Sequence, residues 1–265
     1  MHVLRCAAVL AAVAVAAAAL CGAGFAATGD GSAHALFLEA NKAYTGGEYA
    51  RAAGLYEKVI DQGPVGGDVF YNLGNAYLRM EELGRAILNY EKARVLMPRN
   101  PDLDYNLRYA RDKREDEAAP VESGAGWAFS WLSSATGGEV FWTVAAINLL
   151  FFAMLTLRLW VRAEWTFYAF IALAILWCMA VFFGSAKWYL ATHDDRGVVV
   201  AERIEVRAGP DENDTVLFAL HAGSVVRCEG VEGDWRLVRF DQDKRGWTPR
   251  SGVEQVRPLF PDQSD

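Results

Sequence analysis

Two apolar runs, Phe141–Trp160 and Trp165–Ala186, constrain this 265-residue chain more than any other stretch. Each holds about 20 residues, the length an α-helix needs to cross roughly 30 Å of hydrocarbon. The first carries only Arg158 as a charge, near its end, from where a long side chain reaches an interface. The second carries none before Lys187. Trp142, Trp160, Trp165 and Trp188 bracket the runs, where indole rings favour the headgroup level. A hairpin buried in a soluble core is the other reading, but a soluble helix seldom stays apolar all round for this length. The expectation is a membrane-spanning pair, residues 139–161 and 165–187, joined by Val161-Arg162-Ala163-Glu164. Such a pair leaves the segments before and after it on one side.

The N-terminus decides which side. Met1–Arg5 is a short positive segment, Ala7–Leu20 an apolar run, and Gly22-Ala23-Gly24-Phe25-Ala26-Ala27 a set of small residues. That order predicts a signal peptide over residues 1–26, cleaved after Ala26. A lipoprotein signal at Cys21 and an uncleaved anchor are the alternatives. In each case the following residues are exported, and Arg158 and Arg162 lie at the inner end of the hairpin, in keeping with positive charge remaining inside.

Residues 27–118 repeat themselves. Ala40-Asn41-Lys42-Ala43 aligns with Gly74-Asn75-Ala76-Tyr77, and Tyr49, Ala52, Tyr56, Val59 and Pro64 fall on Leu83, Ala86, Tyr90, Ala93 and Pro98. Every pair is 34 residues apart, and Tyr71-Asn72-Leu73 returns after the same interval as Tyr105-Asn106-Leu107. Ala40 and Gly74 are small where a second helix must cross the first, Ala52 and Ala86 supply the matching small contact, and Tyr56 and Tyr90 pack between units. Pro64 and Pro98 end the second helices, since proline cannot continue one. This pattern resembles the tetratricopeptide repeat, with units at 33–66 and 67–100 and a capping helix at 101–117 whose outer face holds Arg108, Arg111, Lys113 and Arg114. About three repeats are usually needed for stability, so so short an array is expected to need self-association, a partner or the membrane.

The resemblance implies a concave groove lined by the first helices, here Phe37, Asn41, Tyr44, Tyr71, Asn75, Leu78, Tyr105 and Tyr109, which binds an extended peptide or a helix. The other reading of these residues is contact within the array or plain exposure. In that family a C-terminal carboxylate is clamped by two asparagines and several cations. Asn41 and Asn72 match the asparagines, but Phe37, Asp102 and Asn106 stand where cations are required, which argues against capture of an acidic C-terminus in the groove.

Residues 119–138 read as a linker, charged and then small, followed by Trp127-Ala128-Phe129-Ser130-Trp131-Leu132, which suits a leaflet surface or packing on the repeats. Asn148, in mid-span, is a candidate contact to another helix. After the second run, Asp194-Asp195 reads as a solvated turn. Six β-rich segments follow: Val198–Ala201, Ile204–Arg207, Thr215–Leu220, Ser224–Glu229, Trp235–Phe240 and Gly246–Thr248. Turn residues at Gly209-Pro210, Ala222-Gly223, Gly233-Asp234 and Lys244-Arg245-Gly246 separate them, which predicts a small barrel. Arg207, Gly209, Pro210, Gly223, Trp235, Gly246 and Trp247, in that order, resemble a bacterial SH3-like domain over 197–258, ahead of a tail at 259–265. Trp235, Val238 and Trp247 are read as barrel core more than ligand platform, because a small barrel needs large side chains to fill it. Arg207 is expected to pair with an acidic turn residue such as Asp211 or to meet a ligand, and Cys228 to be an inert buried thiol.

Nothing in the sequence equips catalysis. His34, His193 and His221 lie in no nucleophile signature, and no phosphate loop, dinucleotide fingerprint or metal motif is present, so no cofactor or metal is expected. A net charge of −7 argues against nucleic acid. The four cysteines, Cys6, Cys21, Cys178 and Cys228, have no metal or disulfide spacing. The reading is a multidomain α plus β chain: a tetratricopeptide α-hairpin array, a two-helix transmembrane hairpin and a C-terminal SH3-like β-barrel. That order resembles the BatE-type proteins of the bacterial aerotolerance (Bat) operon family. The resemblance implies an adaptor in the inner membrane of bacteria, its soluble modules outside the cytoplasm, working with von Willebrand factor A-domain membrane proteins and a MoxR-type ATPase in envelope integrity and oxidative-stress tolerance. The alternative is a peptidoglycan-binding protein that recruits an envelope enzyme.

Overall fold

The computed structural model describes residues 31–116, 134–161 and 163–256. The expected signal peptide, the aromatic segment 127–132 and the tail lie outside the described residues. The chain forms two compact units, one of residues 135–191 and one combining the segments before and after them.

In the second unit, five helices come first: α1 (Gly31–Thr45), α2 (Tyr49–Asp61), α3 (Gly67–Arg79), α4 (Leu83–Leu96) and α5 (Pro101–Asp112). They pack as two helical hairpins, α1 with α2 and α3 with α4, and α5 lies against α4. The turns repeat each other's geometry. Gly47 has φ +80° at the first, and Glu81, 34 residues on, has φ 65° at the second. The crossings are close because the residues there are small. Ala40, Ala52 and Ala86 are fully buried, and a Cβ on Gly74 would come within 2.7 Å of the Tyr90 ring. α5 starts on an Asn100 cap, whose side chain accepts from the Asp102 and Leu103 backbone N–H groups, with Pro101 at the first turn.

Seven strands follow: β1 (Arg196–Val199), β2 (Arg203–Arg207), β3 (Val216–His221), β4 (Val225–Glu232), β5 (Trp235–Arg239), β6 (Arg245–Pro249) and β7 (Val253–Gln255). Every pairing is antiparallel, in the order β3-β2-β6-β5-β4-β1-β7. The six expected segments are all strands, with ends shifted by up to three residues. β7 is an addition, a three-residue strand behind a 3-10 turn at Arg250–Gly252 that pairs with β1. The barrel core is Val199, Ile204, Val206, Leu220, Val226, Cys228, Val238, Phe240 and Val253.

The array and barrel are not independent. Val198 and Val256, with Val200 and Val225 alongside, belong to the apolar core of the helices. α4 carries the contact. Gly84 lies so close to β1 that a Cβ there would sit 2.5 Å from the Val199 carbonyl, and the Ile87 side chain reaches Gly223. The support a short array needs is thus supplied within the chain.

The other unit holds α6 (Gly137–Trp160) and α7 (Glu164–Thr192), both long and apolar enough to cross a membrane. Each exceeds the expected span. α6 begins early because Thr136 and Glu139 form a reciprocal cap: the Thr136 hydroxyl accepts from the Glu139 N–H at 3.2 Å, and the Glu139 carboxylate from the Thr136 N–H at 2.9 Å. α7 runs on through Lys187 to Thr192, past the expected end at residue 187. Between them Phe151 stacks on Phe170 and Trp177, at 5.8 and 5.1 Å, and Arg158 donates to Thr166 while lying over the Phe167 ring. Among the described side chains of both helices only Met154 and Thr166 are buried.

Candidate functional site

The expected groove residues fall into two groups. Phe37 packs on Tyr56 at 6.0 Å, Tyr44 on Tyr49 at 5.4 Å and Tyr71 on Tyr90 at 6.1 Å, while Leu78 is half-buried against the core. Asn41 and Asn75 form equivalent networks. Tyr56 donates to Asn41 Oδ1 at 2.6 Å, and Asn72, on the next first helix, donates to the same oxygen at 3.2 Å. One period on, Tyr90 donates to Asn75 Oδ1 at 2.7 Å and Asn106 at 2.9 Å, with a further bond from Asn106 to the Tyr71 hydroxyl. Burial pushes the Tyr56 phenol up to about 12 and raises that of Tyr90 as well, so both stay protonated donors. The asparagine oxygens are spent on one another's neighbours. The side chains left facing outward are Tyr105 and Tyr109, 66% and 47% exposed, with Lys113 4.7 Å from the Tyr109 ring centre.

On the barrel, two expectations are corrected. Trp235 and Trp247 do not fill the interior. Strand alternation places Arg236 and Thr248 inward, 2% and 0% exposed, opposite each other in register, while the pairs Trp235–Pro249 and Leu237–Trp247 lie on the other face. Val238 alone of the expected trio is core. Both indoles are half-buried, and Trp247 and the exposed Val216 flank Arg207 in register on either side of β2. Arg207 does not pair with Asp211. It donates to the Glu212 and Asp214 carbonyls at 2.7 and 2.9 Å and to the Glu205 carboxylate at 2.6 Å, tying the Gly209-Pro210 turn to β2. Gly209 and Gly246 have no room for a side chain, the first because of Asp214 and the second because of the Arg207 carbonyl, and Gly223 has φ +87°. Cys228 is buried, and burial raises its thiol pKa, which fits an inert role.

The junction has no signature in the sequence. Glu91 of α4 is 1% exposed, and its carboxylate is shared by three guanidinium groups: Arg94 at 2.7 Å, Arg196 of β1 at 3.1 Å, and Arg111 of α5. Arg196 is held in turn by Asp194 at 2.6 Å, so Asp194 is a fixed partner and not a solvated turn residue. A second tie forms where α5 runs out. The Asp116 carboxylate accepts from the His221 backbone N–H at 2.6 Å and the Ser224 hydroxyl at 2.7 Å. Burial works against that charge, but these bonds and the His221 ring outweigh it and hold Asp116 below the usual carboxylate range. The expected outer face of α5 is therefore largely an interface, since Arg111 binds Glu91 and the Arg114 stem packs at Gly223.

Asn148 is half-buried, with no hydrogen bond to its amide among the described residues. No cluster of three metal-ligating side chains occurs among the described residues. No curated protein matches the chain. Residues 200–254 match the family model of the bacterial SH3 domain, a non-catalytic module of the kind that binds peptidoglycan or protein.

Proposed function

We propose that this protein is a membrane-anchored scaffold for protein–protein interaction, its α-hairpins forming a tetratricopeptide-type array and α6–α7 a transmembrane hairpin with both soluble modules on the exported side. The observation that carries the reading is the junction. An SH3-like barrel shares one core with the helical array, so the Tyr105–Tyr109 surface and the barrel's outer indoles belong to one folded unit and not to two modules on a string. The repeated Tyr–Asn contacts at a 34-residue interval support the array assignment, and two helices with almost no buried side chain support the membrane assignment. In an aerotolerance-type complex the partners are von Willebrand factor A-domain membrane proteins and a MoxR-type ATPase. Deleting the repeats is a poor test, since it would expose the barrel's Val198 and Val256. The better experiment replaces Tyr105 and Tyr109 by alanine in the full chain and measures co-purification with those membrane proteins after crosslinking. Loss of the partners is expected, and unchanged recovery overturns the reading.

One observation favours a second reading, peptidoglycan binding. Trp235, Leu237 and Trp247 share the face of the β5–β6 pair that points away from the Val238 core, with exposed Val216 beyond Trp247 across Arg207, a surface suited to ligand contact. Co-sedimentation of the detergent-solubilised full chain with purified wall material, lost on Trp247→Ala, is its expected result.

A further inference from the structure

Between the C-terminal half of α4 and α5 lies a cavity of about 250 Å³ lined by Arg94, Asp104, Leu107, Arg108 and Arg111. Its wall is preorganised. The Glu91 carboxylate behind it holds Arg94 on one oxygen and Arg111 on the other, which fixes both guanidinium groups while leaving their side chains 33% and 31% exposed. Arg196 shares that carboxylate but is balanced by Asp194. Three cations (Arg94, Arg108, Arg111) then face two carboxylates (Glu91, Asp104), a surplus of one positive charge. Arg94 registers that crowding: burial lowers its pKa, Glu91 opposes, and repulsion from Arg111 and Arg196 adds to the lowering. Arg108 has no ion pair or side-chain hydrogen bond among the described residues, although Asp104 precedes it by one turn.

We propose that this cavity binds a single carboxylate group, carried by the C-terminus or an acidic side chain of a peptide. The planar guanidinium fork matches a carboxylate in geometry, and two forks already locked on Glu91 need no further ordering. Asp104 at the rim opposes a second negative charge, so the site takes a monoanion in preference to a dianionic phosphate. The site is separate from the groove, because Tyr105 and Tyr109 are each one residue, and so about 100°, further round α5 than Asp104 and Arg108. It stands whether or not the groove recruits a membrane protein.

The test titrates the full chain in nanodiscs, by calorimetry at constant ionic strength, with N-acetyl-dialanine, its C-terminal amide, N-acetylglutamic acid α-amide (which bears only the side-chain carboxylate), acetate, and inorganic phosphate at pH 8. At least one peptide acid is expected to bind roughly tenfold or more tightly than the amide, and acetate more tightly than dianionic phosphate. Arg108→Gln is expected to remove about tenfold of the acid's affinity without moving the melting temperature, since Arg108 lies outside the Glu91 cluster. Which acid binds identifies the source of the carboxylate. Equal affinity for acid and amide, no binding of either acid, phosphate binding as tightly as acetate, or an unaltered Arg108→Gln protein overturns the proposal.

Discussion

Glu91 is the residue on which the soluble unit turns. A buried carboxylate shared by Arg94, Arg111 and Arg196 is weak evidence of net stabilisation, because desolvating such charges is costly. Breaking the cluster is another matter, since it strands guanidinium groups from three elements. Glu91→Ala is expected to cost about 3–5 kcal/mol, read as a lower denaturation midpoint of the full chain. Asp116 gives a prediction with a sign. Its folded pKa lies below the ordinary value of 3.8, so its contribution is complete above that value and is lost as pH falls through the lower folded one. The stability gap between wild type and Asp116→Asn should narrow as pH falls below that ordinary carboxylate value. A gap that kept widening there would contradict the Ser224 and His221 bonds. Glu81 offers the opposite experiment. With φ 65° where its repeat partner is Gly47, Glu81→Gly should raise stability by about 1 kcal/mol in the same assay.

Among the elements, α4 shows why the sequence was legible only in part. Its hairpin with α3 follows from the 34-residue spacing, and Ala86 and Tyr90 stand where that spacing puts them. Its second buried face does not. Gly84, Ile87, Leu88 and Glu91 correspond to Ala50, Ala53, Gly54 and Glu57 of α2, and Glu57 is exposed where Glu91 is buried. The enlargement from Ala53 and Gly54 to Ile87 and Leu88 was the available signal, because a helix apolar on two sides must be covered on two sides. What covers it was unreadable, since the contacts join residues more than 100 apart, as Glu91 and Arg196 do. On the barrel, side-chain size is the misleading signal. The bulk of Trp235 and Trp247 suits a small barrel's interior, whereas strand alternation, with Val238 and Phe240 inward, puts both indoles outward. The two helices can be told apart by glycine. Gly84→Val would drive a side chain into the β1 backbone and should destabilise by roughly 1–3 kcal/mol, with increased hydrogen exchange in both α4 and β1. At the corresponding face of α2, Gly54 has open space around it, and Gly54→Ala should stabilise by about 0.5–1 kcal/mol.

At the scale of the molecule, the shared core changes what counts as a domain. A helical array this short and a barrel this small each bury little apolar surface alone, and small domains are marginal for that reason. Here Val198, Val200, Val225 and Val256 of the barrel complete the array's core, and Ile87 meets the barrel at Gly223. The two should therefore unfold as one cooperative unit. Native-state hydrogen exchange on the full chain in nanodiscs measures this directly: amides of α3, α4, β1 and β4 should share one opening free energy in wild type. In Glu91→Ala the barrel and the helices should separate, with β1 and α4 losing protection ahead of β5 and β6, whose partners lie within the barrel. If helices and strands already exchange with distinct free energies in the wild-type protein, the junction is a contact between independent domains, and a scaffold of two loosely tethered modules replaces the single presenting unit.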